Sequence, residues 1–320
     1  MPFSQRAALT LLLVHLVRNA NGLAPLERFL DSYAEHPAEV EHRVLLALKG
    51  FPSSAAAKPQ LAAASVRGID AEHVLLPDDG FDLTAYARVA QQVAADRYCF
   101  VNSFSLVLSR GWLASLSAAL DQPGVELAGA TGSWTSNRDF RRYQLGVHSA
   151  YDHVFEDRER TRQGFLALAR MSRPLTRDRG RLASRAGALV GMLRDRNAFG
   201  PFPAYHLRTN AFAVTRDWML GLMISPVRRK ADAYRLESGS TSFTSQALRT
   251  GHRVVVVGAN GSAYDPGDWD LSMCFWQGRQ QNLIVADNQT ETYRRAPPEL
   301  RRLLSQLAWG QRAQLDRDEP

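Results

Sequence analysis

The sequence RYCFVNSFSLVLSRGWLASLSAALDQPGVELAGA, residues 97–130, contains a strand, a turn, a helix and a second strand. Its start, Tyr98 to Val101, is apolar and ends in the polar turn Asn102-Ser103-Phe104-Ser105. A Ser-Arg-Gly-Trp segment then predicts the start of a helix, and a Pro-Gly turn separates that helix from the strand Val125 to Gly129. This pattern predicts a unit that delivers a polar turn to the edge of a parallel sheet.

The rest of the chain repeats this alternation of buried strands and helices. Leu9 to Val17 and Arg43 to Leu48 are continuous apolar runs, which are typical of strands buried on both faces of a parallel sheet. Further strands are predicted at His73–Leu76, Leu207–Val214 and Val254–Val257. Helices are predicted after Leu23, over Ala55–Val66, over Leu83–Ala95 with Asp82 as N-cap, after Arg216, within Ala231–Arg249 with a break at Ser238–Ser245, and over Pro298–Trp309. The pattern therefore predicts an α/β fold with a mostly parallel central sheet flanked by helices.

Composition and charge exclude several classes of protein. Hydrophobic residues make up 45% of the 320 residues and charged residues 22%, an ordinary balance for a globular chain. Two cysteines, Cys99 and Cys274, cannot form a disulfide framework, and Cys99 is expected to be buried. The apolar run at Ala7 to Val17 is too short to span a bilayer, and we interpret it as a buried strand rather than a signal peptide.

The net charge is +7, and all but three of the 39 basic residues are arginines. This excess of arginine reflects either a general compositional bias of the sequence or a basic surface that faces phosphates or an anionic membrane. A nucleic-acid partner is not expected, because no recognised nucleic-acid module occurs. We expect a single domain over residues 1–320, with a basic helical insertion at about 151–200 and a C-terminal extension at about 259–320.

The order of these elements over Leu9 to Gly258 resembles GT-A fold glycosyltransferases of the family 2 type. Asn102-Ser103-Phe104-Ser105 occupies the place of the family's acidic metal-binding motif, and Glu237 matches the position of its catalytic acid. Asp78-Asp79-Gly80 resembles the family's Asp-Asp-Gly turn, although here it follows the third strand instead of the second. The resemblance implies a GT-A-like fold and a sugar-transfer activity.

The resemblance also implies a set of site residues. An inverting transfer needs a carboxylate that takes the proton of the acceptor hydroxyl, and Glu237 is the candidate; its alternative role is a surface glutamate that caps its helix. The expected donor-binding residues are Arg18, Asn19, Asp79, Asp82, Asn102, Ser103 and Arg208. Trp269 and Asp268, in a segment rich in Trp, Asp, Asn and Gln, are expected to contact the acceptor. The Asp-rich turn and the segment around Arg208 also have purely structural interpretations.

The metal ligands are unknown. Members of the family hold Mg²⁺ or Mn²⁺ with carboxylates, because hard cations prefer anionic oxygens, whereas Asn102 and Ser103 offer neutral oxygens. Three alternatives remain open: another acid completes a metal site, arginines replace the metal, or transfer activity has been lost.

We therefore expect a hexosyltransferase that moves a sugar from a nucleotide-sugar donor to a glycan or lipid-linked acceptor, with inversion, in bacterial cell-surface polysaccharide assembly. The expected location is the cytoplasm, with peripheral contact at the inner face of the membrane. The alternative is a non-catalytic protein of the same fold that binds a nucleotide sugar or a glycan.

Overall fold

The computed structural model describes residues 9–138, 198–227 and 230–314. Within these ranges the strands are β1 (Leu11–Arg18), β2 (Arg43–Lys49), β3 (Ala71–Leu76), β4 (Arg97–Val101), β5 (Leu106–Val107), β6 (Val125–Gly129), β7 (Gly132–Ser133), β8 (His206–Leu207), β9 (Ala211–Thr215), β10 (Arg253–Val257), β11 (Ala263–Tyr264) and β12 (Val285–Ala286). The α-helices are α1 (Ala24–Glu35), α2 (Lys58–Ser65), α3 (Asp82–Gln92), α4 (Trp112–Ala119), α5 (Arg216–Gly221), α6 (Lys230–Ser238), α7 (Phe243–Arg249), α8 (Asn288–Arg295) and α9 (Pro298–Trp309).

Eight of these strands form one sheet in the order β11-β10-β6-β9-β4-β1-β2-β3. Six of them run in the same direction, and only β9 and β11 are antiparallel to their neighbours. The expected fold class, a mixed α/β structure with a mainly parallel sheet flanked by helices, is confirmed. The short pairs β5–β12 and β7–β8 lie outside this sheet.

Strand β1 is an interior strand of the sheet, between β4 and β2. Leu13 pairs with Val44 of β2 on one side and with Cys99 of β4 on the other. Residues 11–17 are all buried, which explains why the sequence shows a continuous apolar run instead of an alternation. The interpretation of this run as a buried strand is confirmed, and so is the burial of Cys99.

The core lies on both faces of this sheet. One layer joins alternate residues of β1, β2 and β4 to α1, α2 and α4, with Phe29 and Trp112 fully buried. The other layer packs α3, α7 and the C-terminal segment on the opposite face, around Tyr86, Phe100 and Phe212. The aromatic contact of Tyr86 with Phe100 has a centroid distance of 4.6 Å.

The strand directions decide where a ligand site can form. The carboxyl ends of β1, β2, β3, β4, β6 and β10 share one edge, where α/β proteins bind their ligands. Because β9 runs the opposite way between β4 and β6, the residues that precede it also reach this edge.

Two local expectations need correction. The N-cap of α3 is Phe81, and Asp82 is the first residue of the helix, where its carboxylate still lies in the first turn. The break between the helices around 238–245 is shorter than expected, because Ser242 caps α7 by accepting a hydrogen bond from the Ser245 amide.

The expected basic insertion at about 151–200 lies almost wholly outside the described residues, and the domain division stays a prediction. No helix in the described part of the chain has the length and apolarity needed to cross a membrane.

Candidate functional site

A cavity of about 560 Å³ opens at the carboxyl edge of the sheet. Its walls come from six places along the chain: the start of α3, the turn after β4, the segment that begins at β7, the segment around β8, the end of α6, and the C-terminal segment that follows β11. Its polar and aromatic lining includes Asp82, Asn102, His206, Arg208, Thr209, Asn210, Glu237, Phe275, Trp276, Asp287, Asn288, Gln289 and Thr292. Four of the sequence-predicted residues, Glu237, Asp82, Asn102 and Arg208, are thus brought together.

Glu237 lies one residue before the end of α6 and lines the cavity. Its Oε1 accepts a hydrogen bond of 3.2 Å from the hydroxyl of Thr209, which holds the side chain toward the strand edge. The neighbouring Ser238 hydroxyl accepts a 2.8 Å bond from the amide of Asn137. A carboxylate held in this way inside a polar cavity can accept a proton from a bound hydroxyl.

Asp82 supplies a second carboxyl group to the cavity. Burial raises its pKa, and the positive charges of Arg18 and Lys49 oppose that shift. Tyr86 lies one helical turn further along α3, and its hydroxyl has no hydrogen-bond partner among the described residues. Burial, and then the charges of Asp82 and Glu237, raise the pKa of Tyr86 well above its ordinary value, so this phenol stays protonated.

Lys49 is a residue of this edge that the sequence analysis missed. It ends the buried strand β2, is fully buried, and its Nζ donates a 2.8 Å hydrogen bond to the carbonyl of Gly80. Burial and then the neighbouring charge of Arg18 lower its pKa, whereas Asp82 raises it. The available signal was a lone lysine at the end of an apolar strand in a chain with three lysines.

His206 lines the cavity as a neutral side chain. Burial lowers its pKa to about 4, although a hydrogen bond to the backbone of Ala204 opposes the shift. Its Nδ1 lies 2.9 Å from the Ala204 carbonyl oxygen. A histidine of this kind is uncharged at neutral pH and acts as a hydrogen-bonding wall residue.

The turn after β4 uses its own side-chain oxygens. Oδ1 of Asn102 accepts hydrogen bonds from the Phe104 amide at 2.9 Å and from the Ser105 hydroxyl at 3.1 Å. The Ser103 hydroxyl donates to the carbonyl of Leu16 at 2.7 Å. Because these oxygens are neutral and already bonded, the turn does not fit a divalent cation. Nor do three or more His, Cys, Asp or Glu side chains cluster as a metal site in residues 9–138, 198–227 and 230–314.

Arg208 was expected to bind the donor, and the structure gives it an intramolecular partner. Its Nη2 donates to Oδ2 of Asp287 at 2.7 Å, and its Nη1 lies 3.5 Å from Oδ1. The guanidinium carbon lies 4.3 Å from the centre of the Phe275 ring. Asp287 also caps α8, because its Oδ1 accepts from the amides of Gln289 and Thr290. This pair, which we call the Arg208–Asp287 latch, joins the segment before β9 to the C-terminal segment.

The other predicted site residues do not line the cavity. The side-chain amide of Asn19 donates a 3.1 Å hydrogen bond to the Gly50 carbonyl. Asp79 is exposed and forms an ion pair with Arg88. Asp268 is also exposed, and its carboxylate lies 4.0 Å from the guanidinium of Arg312. Arg18 lies beside Asp82, and its buried Nε has no partner among the described residues.

Trp269 needs correction as an acceptor-contacting residue. Its indole is fully buried, donates to the Tyr264 carbonyl at 2.9 Å and fills the space beside Gly132, where a Cβ would come within 2.5 Å of the ring. An acceptor in the cavity cannot reach it. The residue that presents an indole to the cavity is Trp276.

The comparisons with known proteins give limited likenesses. No protein-family model and no curated protein sequence matches the chain. Among solved structures, a mannosyltransferase from Pyrobaculum calidifontis in complex with GDP-Man and Mn²⁺ is 12% identical with a TM-score of 0.41, over 78% of this chain and 55% of that one.

Two further structures are similar over smaller parts. Glucosyl-3-phosphoglycerate synthase from Mycobacterium tuberculosis, in complex with Mn²⁺, UDP and phosphoglyceric acid, is 15% identical with a TM-score of 0.36, over 69% of this chain and 61% of that one. S. aureus TarS 1-349 in complex with UDP-GlcNAc is 12% identical with a TM-score of 0.30, over 37% of this chain and 33% of that one. The chain spans less than two thirds of the length of each of the three structures. These likenesses do not extend to ligands or residue roles, which depend on this chain's own geometry.

Proposed function

We propose that this protein is a glycosyltransferase that moves a sugar from a nucleotide-sugar donor to an acceptor hydroxyl, with Glu237 as the general base. The observation that carries the proposal is the Glu237 carboxylate, held by Thr209 in a polar cavity at the carboxyl edge of a mainly parallel sheet. The resemblance of the sequence to family 2-type glycosyltransferases, in which Glu237 matches the catalytic acid, supports the same assignment.

The proposed step is a displacement at the anomeric carbon with inversion. The acceptor oxygen forms a new bond to that carbon while Glu237 takes the proton of the hydroxyl. The bond between the anomeric carbon and the phosphate oxygen breaks, and the nucleoside diphosphate leaves with the electron pair. Atoms and charges balance, because the leaving group gains the negative charge that the carboxylate loses.

The charge that develops on the leaving diphosphate needs a positive partner. Arg18 and Lys49 act on Asp82 at the cavity wall, and the Nε of Arg18 has no partner among the described residues. Arg18 is our candidate for the contact, whereas Lys49, fully buried and bonded to the Gly80 carbonyl, contributes only its charge. Arg208 is a weaker candidate, because Asp287 already neutralises it. We derive no step through a metal ion, since the turn Asn102 to Ser105 does not fit one, and metal dependence stays a prediction.

The test compares two glutamates that share a local geometry. Glu126, outside the cavity lining, accepts a 2.7 Å hydrogen bond from the Thr215 hydroxyl, much as Glu237 accepts one from Thr209. With a donor found by screening nucleotide sugars for diphosphate release, we expect Glu237→Gln to lower kcat about 10²- to 10⁴-fold with the donor KM unchanged. Glu126→Gln is expected to keep wild-type turnover. Full turnover of Glu237→Gln would overturn the assignment of the base.

The second candidate is a non-catalytic protein that binds a nucleotide sugar or a glycan. The neutral, internally bonded turn at Asn102 to Ser105 favours it. Stabilisation by a nucleotide sugar, without transfer to any of a broad panel of acceptors or to water, would support this candidate. A bound ligand at 100 times its Kd raises the free energy of unfolding by about 2.7 kcal/mol, which a thermal-shift assay detects.

We extend the proposal to hexosyl transfer in bacterial cell-surface polysaccharide assembly, in the cytoplasm or at the inner face of the membrane. The support is the resemblance and the basic charge of the chain. The test of that extension compares sugar transfer to lipid-linked acceptors with transfer to free glycan acceptors. Both are measured in one assay with vesicles of the same composition.

A further inference from the structure

The cavity wall that follows β11 contains an unusual backbone. Met273, Trp276 and Gln280 all adopt the left-handed conformation, with φ angles of 55°, 45° and 54°. Side chains with a Cβ rarely occupy this region, and such strain persists only where the surroundings hold the residue in place. Strained residues gather at ligand sites, and this group includes a tryptophan that lines the cavity.

Trp276 is held through its backbone and its ring. Its amide donates to Oε1 of Gln280 at 3.1 Å, and its carbonyl accepts from the Ser305 hydroxyl at 2.6 Å. Its indole Nε1 donates to the Gln289 carbonyl at 3.3 Å. Because the polar atom of the ring is bonded, what the indole can offer a ligand is its apolar ring surface.

The indole has a rigid support. Phe275 stacks with it at a centroid distance of 4.5 Å and an interplanar angle of 19°. Phe275 is buried and is itself contacted by the guanidinium of Arg208, which the Arg208–Asp287 latch fixes. Trp276 is only partly buried, so its remaining surface is available to a ligand.

The rim beside this ring is polar and uncharged. Asn288 and Gln289 are exposed, line the cavity, and their side-chain amides have no hydrogen-bond partner among the described residues. Thr292, one helical turn further along α8, also lines the cavity. An amide group both donates and accepts hydrogen bonds, as a sugar hydroxyl does, whereas an anionic ligand would call for free cations.

We propose that Trp276 is the platform on which the ring of the acceptor sugar stacks, with Asn288 and Gln289 binding its hydroxyls. The acceptor is therefore a neutral pyranoside whose C–H groups lie against the electron-rich face of the indole. As an acceptor site this rests on the proposed function, because the same cavity holds Glu237. The binding of the sugar ring itself does not require catalysis.

The experiment titrates the full chain with the methyl β-pyranosides of glucose, galactose and N-acetylglucosamine, without donor, by saturation-transfer NMR. We expect millimolar binding of at least one pyranoside, with the NMR saturation transferred mainly to the protons of one face of the sugar ring. Trp276→Ala should weaken its affinity at least tenfold, and Trp276→Phe should restore part of it. The matched control is Trp218→Ala, a partly buried tryptophan outside the cavity lining that packs edge-on against Phe243 and should leave binding unchanged.

The outcomes separate this proposal from the transferase assignment. One outcome is that the protein cleaves the donor and transfers the sugar while Trp276→Ala does not weaken pyranoside binding. That result would overturn the platform and leave the transferase assignment intact. Pyranoside binding that depends on Trp276, in a protein that cleaves no nucleotide sugar, would support the platform and count against the transferase. A third outcome is that uridine or guanosine displaces the pyranoside, binds more tightly than it does, and no longer binds to Trp276→Ala. That result would overturn the platform in favour of a nucleobase site.

If Trp276→Ala does not fold, the exposed rim gives the answer. Asn288→Ala and Gln289→Ala remove exposed side chains that form no hydrogen bond among the described residues, so both variants should fold as the wild type does. We expect each to weaken pyranoside binding at least threefold. Unchanged binding in both variants would overturn the proposal.

Discussion

Two regions of the ligand edge use their polar side chains in opposite ways. In the amino-terminal loops, defined as residues 18–22, 78–82 and 102–105, the side chains of Asn19, Asn102 and Ser103 bond to the protein itself. In the carboxy-terminal wall, defined as residues 273–292, Asn288 and Gln289 present unbonded amides to the cavity. The three side chains named in the first region hold the sheet edge together, whereas we propose that the two amides of the second region bind a ligand.

A polar residue at the ligand edge of a sheet is therefore not by itself a sign of a ligand contact. A buried hydroxyl or amide must find a hydrogen-bond partner, and the loops of a tightly packed sheet provide one nearby. Side chains without a partner among the described residues occur instead on exposed helical turns, such as Asn288 and Gln289 in the first turn of α8.

The largest effect should come from breaking the Arg208–Asp287 latch, on which the carboxy-terminal wall depends. Asp287 is 1% exposed and the Arg208 side chain 11%. Asp287→Ala leaves a buried guanidinium unpaired and removes the cap of α8, so we expect a loss of about 3–5 kcal/mol in the free energy of unfolding, measured with urea.

The matched control for the latch is an exposed ion pair of similar geometry. Arg253 and Asp265 also form two hydrogen bonds, at 2.9 and 3.1 Å, with exposed fractions of 39% and 49%. Asp265→Ala should cost less than about 1 kcal/mol, since water solvates the arginine that remains. Equal losses in the two variants would contradict the view that the latch anchors the wall.

A second effect concerns His15, in the centre of the sheet beneath the amino-terminal loops. It stacks on Phe29 at 3.9 Å, and burial lowers its pKa from 6.5 to about 3. Between these values the unfolded chain binds a proton that the folded chain does not, so stability falls as the pH falls below about 6.5. At pH 5 this loss is about 2 kcal/mol, at 1.36 kcal/mol for each pH unit.

The variant His15→Phe keeps the stacked ring and removes the titration. We expect its free energy of unfolding to fall less than that of the wild type between pH 7 and pH 5, by about 2 kcal/mol in urea titrations. His206, whose pKa is lowered to about 4, has an effect of the same sign and remains in both proteins. An identical pH dependence of the two proteins would show that His15 is not the buried neutral group described here.

A smaller effect is expected at the turn after β4. Ser103→Ala removes one buried hydrogen bond, to the Leu16 carbonyl, and should cost about 1 kcal/mol. Asn102→Ala removes two accepted bonds and should cost at least as much, whereas Asn102→Asp keeps both acceptor positions and should stay near wild-type stability. Thermal or urea unfolding of the three variants measures this, and no loss in either alanine variant would show that the turn is not held by these bonds.

The smallest effect is expected at Asp79. Its carboxylate is exposed and paired with Arg88, outside the cavity lining. We expect Asp79→Asn to change the apparent affinity for a stabilising nucleotide sugar less than twofold in thermal-shift titrations. A tenfold loss would show that the exposed turn around Asp79 contacts the donor and would remove the contrast between the two regions.

The central strands could be predicted from sequence because burial on both faces leaves a continuous apolar run, as in β1 and β2. Helix α8, with the sequence NQTETYRR, could not, because only Thr290 and Tyr293 are buried. Its start depends on the Asp287 cap and its position on the latch. The two-residue strands β5, β7, β8, β11 and β12 carry no periodic signal and exist only because partner segments meet in space.

The candidate site divides in the same way. The sequence pointed to Glu237 through its place in the order of elements, and the structure puts that residue in the cavity. It also pointed to Trp269. Both Trp269 and Trp276 lie in the segment rich in Trp, Asp, Asn and Gln, and no local signal in the sequence tells which indole is buried. That choice is made by packing, since Trp269 fills the space beside Gly132, whereas Trp276 is only partly buried and lines the cavity.

The fold class follows from the order of amino acids, because hydrophobic periodicity is a local property that decides which segments become strands and helices. Which polar groups lack a partner depends on the folded chain. Hydrogen-bond satisfaction and ion pairing join residues that are 79 positions apart in the chain, as in Arg208 and Asp287, and only the folded chain brings those partners within 3 Å.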